Sequence, residues 1–228
     1  MVKERYIRNI GTLTAEEQER LSASRVCIVG SGGIGGFVFE ELLRAGVENI
    51  TIVDGDTFAE NNLNRQLLSD EDSIDEPKIL AAEKRAFLIN SDARINAIEE
   101  FLTEKNADDI IADCDVVIDA LDSIDSRKIL ARACERQKKI LIHGGIWGWL
   151  AEVAVILPGS RLMEAIYPED ISDSADQRSI VSTVAICASL QAAEALKILC
   201  GRKSVLENRI LYADLEEMDF TIGKLAAV

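Results

Sequence analysis

The sequence predicts an α/β fold: a Rossmann-like, mostly parallel sheet covered by helices, with a C-terminal antiparallel strand appendage. Three observations predict it. Short apolar runs alternate with helical patterns of about 10–15 residues through the first two thirds of the chain, the rhythm of βαβ units. The first apolar run, Val26-Cys27-Ile28-Val29, opens directly into Gly30-Ser31-Gly32-Gly33-Ile34-Gly35. Beyond it the alternation gives way to β-rich runs on either side of one long apolar segment, Ile180 to Leu199.

The elements follow in order. Thr14 to Leu21 reads as a short polar helix, with Thr14 as N-cap and Glu17 completing a capping box. A strand over Arg25–Val29 leads through the glycine loop into a helix from about Gly36 to Ala45. That helix turns Phe37, Phe39, Leu42 and Leu43 toward a core and stops at Gly46. Ile50 to Val53 is the second strand and ends at Asp54 and Asp56. The segment Glu60-Asn61-Asn62-Leu63-Asn64-Arg65-Gln66 has no period and is a candidate binding loop. Pro77 suits the first turn of a helix running to Ile89, because its missing N–H is no loss there. Strands are expected at Arg94–Ile98, Asp115–Asp119 and Lys139–Ile142, with helices at Asn106–Ala112 and Ser126–Gln137 between them. Ala151–Leu157 is a further strand, Ile180–Leu199 a buried helix, and Ile210–Ala213 and Phe220–Leu225 are closing antiparallel strands. The chain divides into an N-terminal helical arm (1–24), a nucleotide-binding core (25–157), and a closing part of the same domain (158–228).

The glycine loop carries the first functional signal. Its glycines let the backbone turn tightly and approach a phosphate, and the following helix turns unsatisfied N–H groups toward negative charge. Gly30, Gly32, Gly33 and Gly35 are the candidate contacts. Asp54, at the end of the second strand, is placed for ribose hydroxyls, and Asp56 joins the acids at 119 and 122 as a further acidic candidate. Arg65 and Lys78 bring a planar fork and a point charge to an oligophosphate from two separate elements. Asp119 and Asp122 offer hard oxygen ligands for magnesium; Asp122 is alternatively a cap for the next helix. His143 reads as a hydrogen-bonded strand-end residue, and His143-Gly144-Gly145-Ile146-Trp147-Gly148-Trp149 as a candidate channel wall or as core packing.

Composition excludes several partners. The formal charge of −15, with 40 acidic against 25 basic side chains, disfavours a nucleic-acid backbone or an anionic membrane. Cysteines 27, 114, 134, 187 and 200 form no close pair and leave an odd one, which fits a reducing, cytoplasmic setting better than a disulfide scaffold. The first ten residues resemble neither a signal peptide nor an anchor, and the apolar stretches are read as too interrupted to span a bilayer.

Taken together, Arg5-Tyr6-Ile7-Arg8, the loop at 30–36, Val53-Asp54-Gly55-Asp56, Asn62-Leu63-Asn64-Arg65-Gln66, Pro77-Lys78, Asp119-Ala120-Leu121-Asp122 and Leu190-Gln191-Ala192-Ala193-Glu194-Ala195-Leu196-Lys197 give a specific match. From Glu4 to Ala213 the chain resembles the ThiF, MoeB and HesA superfamily of E1-like adenylyltransferases. The resemblance implies ATP- and magnesium-dependent adenylation of the C-terminal glycine carboxylate of a small ubiquitin-like protein, releasing pyrophosphate. It casts Asp54 as the ribose acid, Arg65 and Lys78 as phosphate contacts, Asp122 as the metal acid, and Asn62 and Gln66 as members of the ATP loop. It also implies a homodimer in which Arg8 reaches the neighbouring subunit's site.

Two departures stand out. No Cys-x-x-Cys pair is present, so no structural zinc is expected, and the stretch from Tyr167 to Ser182 lacks the cysteine many relatives carry there. Cys187 falls within an apolar helical pattern and reads as inert core. A non-catalytic nucleotide-binding interaction protein and an NAD-dependent oxidoreductase are the alternatives. The second explains only the first βαβ unit.

Overall fold

A computed structural model describes residues 2–172 and 178–223. Eight strands form one sheet in the order β3-β2-β1-β4-β5-β6-β7-β8. Strands β1 (Arg25–Val29), β2 (Asn49–Val53), β3 (Arg94–Ile98), β4 (Val116–Asp119) and β5 (Ile140–Trp147) run parallel. Strands β6 (Leu150–Ile156), β7 (Ile210–Asp214) and β8 (Asp219–Gly223) continue the same sheet antiparallel. The expected appendage is thus an extension of the main sheet. The last residues assigned to the final strand, 224–225, lie outside the described residues.

Each central strand is buried on both faces, which is why it reads as continuous apolar sequence. Val26 and Ile28 of β1 face one core layer, with Phe39, Leu42 and Leu43 of α2 (Gly33–Ala45) and Val184 and Ala188 of α7 (Val181–Leu199). Cys27 and Val29 face the other, with Leu130 and Ala133 of α5 (Ile124–Gln137) and Leu162 and Met163 of the short α6 (Leu162–Ile166). Full burial of a side chain such as Leu42 is worth roughly 1.5–3 kcal/mol.

Helix α1 (Ala15–Ala23) begins with the expected capping box: Glu17 N–H donates to Thr14 Oγ1 at 3.2 Å and Thr14 N–H donates to Glu17 Oε2 at 2.8 Å. The α3 helix (Lys78–Ile89) uses Pro77 as its N-cap, one residue earlier than expected, and α4 (Ala107–Ile111) is short. Short 3-10 helices over Glu4–Asn9, Glu60–Asn62 and Glu71–Ser73, and α6, were not foreseen. Helix α7 corrects the bilayer reading, because by length and composition it is apolar enough to cross a membrane. Here one of its faces is core, packed on α2, β5 and β6.

Strand order reverses between β1 and β4: the chain steps outward through β2 and β3, then returns to the other side of β1. Loops at the carboxyl ends of β1 and β4 therefore diverge and leave a crevice, where α/β sheets bind ligands.

Candidate active site

The crevice is a cleft of about 320 Å³. Gly30, Gly32, Gly33, Asp54, Asp56, Arg65, Gln66, Lys78 and Asp122 all line it. Seven separate stretches of sequence thus deliver their candidate residues to one place, counting Arg127 and Trp147, which line it too.

Backbone geometry explains the glycines. Gly30 has φ +95°, and a Cβ there would lie 2.5 Å from the Ala120 carbonyl oxygen, so β1 and β4 could not approach as they do. A Cβ on Gly35 would lie 1.9 Å from the Gly30 carbonyl oxygen. Gly35 differs from its expected role: it does not line the cleft but lets α2 start tight against the loop. Ser31 N–H donates to Asp54 Oδ2 at 2.7 Å and Asp56 N–H donates to Oδ1 at 2.9 Å. These bonds fix the carboxylate at the cleft floor while leaving acceptor capacity for hydroxyl donors.

The two cations are held differently. Lys78 is buried, its Nζ 3.1 Å from Asp56 Oδ2, and its backbone N–H donates to the Asp56 carbonyl at 3.0 Å. Arg65 Nη1 donates to the Asn61 carbonyl and to Asn64 Oδ1, each at 2.8 Å, which orients one edge of the guanidinium. Asn62 departs from expectation. Its side chain is buried inside the loop, accepting from Ala59 N–H at 3.0 Å and donating to Asn61 Oδ1 at 3.0 Å, and it does not line the cleft. It shapes the loop that carries Arg65. Gln66 does face the cleft, and among the described residues its buried Oε1 has no partner; neither has the buried hydroxyl of Ser31 in the glycine loop. Two orphaned polar groups beside a phosphate-type loop are what a bound polar ligand would satisfy.

The acids at the end of β4 separate. Asp122 is exposed at the cleft, and the cap of α5 is Ser123, whose Oγ accepts from Ser126 N–H at 3.4 Å, so the capping alternative falls away. Asp119 is corrected as a metal ligand: it is fully buried, and its carboxylate is already committed. Oδ2 is 2.7 Å from His143 Nδ1 and 3.4 Å from Arg127 Nη1, while Oδ1 accepts from Leu121 N–H at 3.1 Å. The parallel register places Asp119 directly beside His143, which is itself wholly buried within β5 rather than at its end. Burial opposes the charge on Asp119, but Arg127 and His143 outweigh it and hold the carboxyl below its usual range. Burial likewise opposes protonation of His143, and Asp119 and Glu152 outweigh it, raising the imidazole above its ordinary value.

Arg127 was missed by sequence reasoning, as were Glu152 and Tyr167. A legible signal existed: Arg127, Leu130 and Cys134 lie three and four residues apart, so the arginine falls on the apolar stripe of α5. Gly144 and Gly145 differ from the expected channel role. A Cβ at Gly144 would meet the Gln191 side chain at 2.5 Å, and one at Gly145 would meet Glu152 Oε1 at 2.7 Å. Close packing inside the fold uses them. Ile146 and Trp147 do line the cleft mouth, and Trp149 is exposed in the adjoining turn. Arg8 is exposed and distant from its own cleft. The turn carrying it is tied to the far end of α2, where Asn9 donates to the Ala45 carbonyl at 3.0 Å, and α2 is roughly 20 Å long at 1.5 Å per residue.

The chain is similar to several known proteins. The SAMP-activating enzyme E1 of Haloferax volcanii is 29% identical over 224 residues, covering 95% of this chain and 83% of that protein. The sulfur carrier protein adenylyltransferase of Thermus thermophilus is 33% identical, covering 90% and 80%, and the molybdopterin-synthase adenylyltransferase of Haemophilus influenzae is 31% identical, covering 89% of each. In fold, the chain superposes on E. coli MccB, crystallised with AMPCPP and MccA, with a TM-score of 0.85 at 19% identity, over 99% of this chain and 72% of that one. Residues 6–227, which hold the glycine loop, both cations and both β4 acids, match the ThiF family, and the chain belongs to that family.

Proposed function

We propose that this chain is an E1-like adenylyltransferase that uses ATP to adenylate the C-terminal glycine carboxylate of a small ubiquitin-like protein of the sulfur-carrier type, releasing pyrophosphate. The observation that carries the reading is the convergence of the glycine loop, Asp54, Arg65, Gln66, Lys78 and Asp122 on one cleft. The named adenylyltransferases among its relatives support the same chemistry.

The nucleotide lies with its phosphates on the glycine loop and the start of α2, and its ribose at Asp54. A carboxylate oxygen of the partner attacks the α-phosphorus as the bond from that phosphorus to the bridging oxygen of the β-phosphate breaks. Arg65 and Lys78 stabilise the negative charge that passes to pyrophosphate, which needs positioning and electrostatics but no covalent nucleophile. Lys78 exchanges its Asp56 contact for phosphate oxygen.

Magnesium fits the donor set. Among the described residues no group of three or more metal-ligating side chains gathers by itself, so the cation would be shared between Asp122, phosphate oxygens and water, as magnesium prefers. When bound it neutralises phosphate charge. The partner's thin diglycine tail enters past Ile146 and Trp147 at the cleft mouth. The working unit is a homodimer in the cytoplasm: an exposed Arg8 at the far end of α2 serves the neighbouring subunit's cleft, and five reduced cysteines suit that compartment.

The test is ATP–pyrophosphate exchange with candidate small proteins ending in Gly-Gly. Exchange that depends on such a protein and falls about 100-fold or more in Arg65→Ala is expected. Tight ATP binding with no exchange for any competent candidate would favour a non-catalytic module.

A further inference from the structure

Behind the cleft wall, with Arg127 reaching the cleft lining, lies a polar cluster that the adenylation chemistry does not use. Arg127 donates to the Leu121 carbonyl through Nη2 and to the Gly144 carbonyl through Nη1 at 2.7 Å. Asp119 accepts from the Leu121 N–H. Both polar groups of the Leu121 backbone are therefore clamped by this ion pair, and Leu121 and Asp122 are the residues it presents to the cleft.

The His143 imidazole ties that clamp to β6 and Tyr167, alongside Arg127 itself, whose Nη1 lies 3.1 Å from His143 Nδ1 and whose guanidinium carbon lies 5.7 Å from the Tyr167 ring centroid. His143 Nδ1 meets Asp119 Oδ2 at 2.7 Å, while Nε2 is 3.2 Å from Glu152 Oε1 and 3.3 Å from the Tyr167 hydroxyl. Tyr167 donates to Glu152 Oε1 at 2.8 Å and stands edge-on to the imidazole, ring centroids 5.5 Å apart. Glu152 belongs to β6, and Tyr167 closes α6 at the start of the segment leading to α7. Two groups on α7 also face the cluster: Cys187 donates its thiol to the Gly145 and Glu152 carbonyls, and Gln191 Nε2 donates to the Asp119 carbonyl at 2.9 Å and the Ile142 carbonyl at 3.0 Å. The imidazole is thus the side chain that touches both Asp119 of the clamp and Glu152 of the antiparallel half of the sheet.

On the ATP reading of the cleft, we infer that His143 is a positioning residue for the nucleotide: its Nδ1 contact holds Asp119, and through it the Leu121–Asp122 wall, in the geometry that receives ATP and its metal. Side-chain length separates the two contacts of the imidazole. Asparagine retains a donor at the position of Nδ1; glutamine retains one at the position of Nε2 and lacks the near one.

The experiment is calorimetric titration of His143→Ala, His143→Asn and His143→Gln with ATP and magnesium, each checked for a cooperative melt. We expect the alanine variant to bind about tenfold more weakly than the wild type, the asparagine variant within about twofold of it, and the glutamine variant to resemble alanine. A general packing role would weaken asparagine and glutamine alike, and that result overturns the inference, as does unaltered binding in the glutamine variant. If the alanine variant does not fold, the asparagine–glutamine pair alone decides. A wild type that binds ATP with magnesium but supports no exchange with any carrier overturns the proposed reaction and leaves the His143 inference standing. A wild type that binds none overturns both.

Discussion

Asp119 and Asp122 stand three residues apart at the end of β4, on the two sides of one wall. On the inner side Asp119 is fully buried and bonded to His143, Arg127 and the Leu121 N–H. On the outer side Asp122 is exposed in the cleft. The same carboxylate is a structural anchor in one place and a ligand candidate in the other, and burial decides which. Where water is excluded, a charge persists only with fixed partners, and those partners leave nothing for a metal. Where water reaches, the carboxylate keeps its lone pairs for a cation that arrives with the nucleotide.

Substitution breaks the comparison most sharply at Asp119. Asp119→Ala strands the Arg127 guanidinium in the interior and removes the acceptor for His143, and losing one partner of a buried pair typically costs about 3–5 kcal/mol. Urea unfolding of the variant should show that loss. A loss under 1 kcal/mol would mean that water already reaches the inner side.

Asp122→Asn should do the opposite. Unfolding stability should stay within about 0.5 kcal/mol of the wild type, the usual range for a surface change away from caps and cores. Carrier-dependent pyrophosphate exchange should fall about 100-fold, the scale of removing one electrostatic stabiliser. Equal damage to fold and exchange would erase the distinction between the two acids.

A smaller effect follows from pH. Asp119 and Glu152 are held below their ordinary values despite burial, so their contribution is present above the unfolded carboxylate range and is lost as pH falls through the lower folded values. His143 is held above its ordinary value, so its contribution is complete below about 6.5, the unfolded value, and fades as pH rises through the folded one. Urea midpoints should therefore decline on the alkaline side, and His143→Asn should flatten that limb. An alkaline limb unchanged in the variant would assign the decline to another group.

The two sides of the wall were also unequally legible in the sequence. The outer side was readable because loops advertise their chemistry: a glycine string after an apolar run, an arginine in an aperiodic polar loop, and an acid at a strand end each have a local cause. The parallel sheet was readable for a similar reason, since strands buried on both faces leave unbroken apolar runs such as Val26–Val29. The inner side was not. Asp119 lies at the strand end like Asp54, and only the register that sets it against His143 reveals that it is spoken for. Glu152 and Tyr167 come from β6 and from beyond α6, so no spacing announces their meeting. Asn62 was misplaced because a polar loop must satisfy its own backbone before it serves a ligand.

The smallest expected effect concerns thiols, and it probes whether the inner side ever opens. All five cysteines are buried, and burial pushes the Cys187 thiol up to about 12, with the Arg127 charge opposing the rise. At pH 7 that leaves roughly one thiolate in 10⁵ at this position, and the thiolate is the species that reacts. Brief treatment of the folded protein with iodoacetamide should therefore leave exchange within about twofold of the untreated rate, and a nonreducing gel run after turnover should show no carrier joined to the chain through a thioester. Rapid alkylation of Cys187 would mean that α7 lifts from β5 and β6, exposing the cluster around His143 to water. The fixed partners that separate Asp119 from Asp122 would then be transient, and the inner carboxylate would regain the freedom its neighbour has.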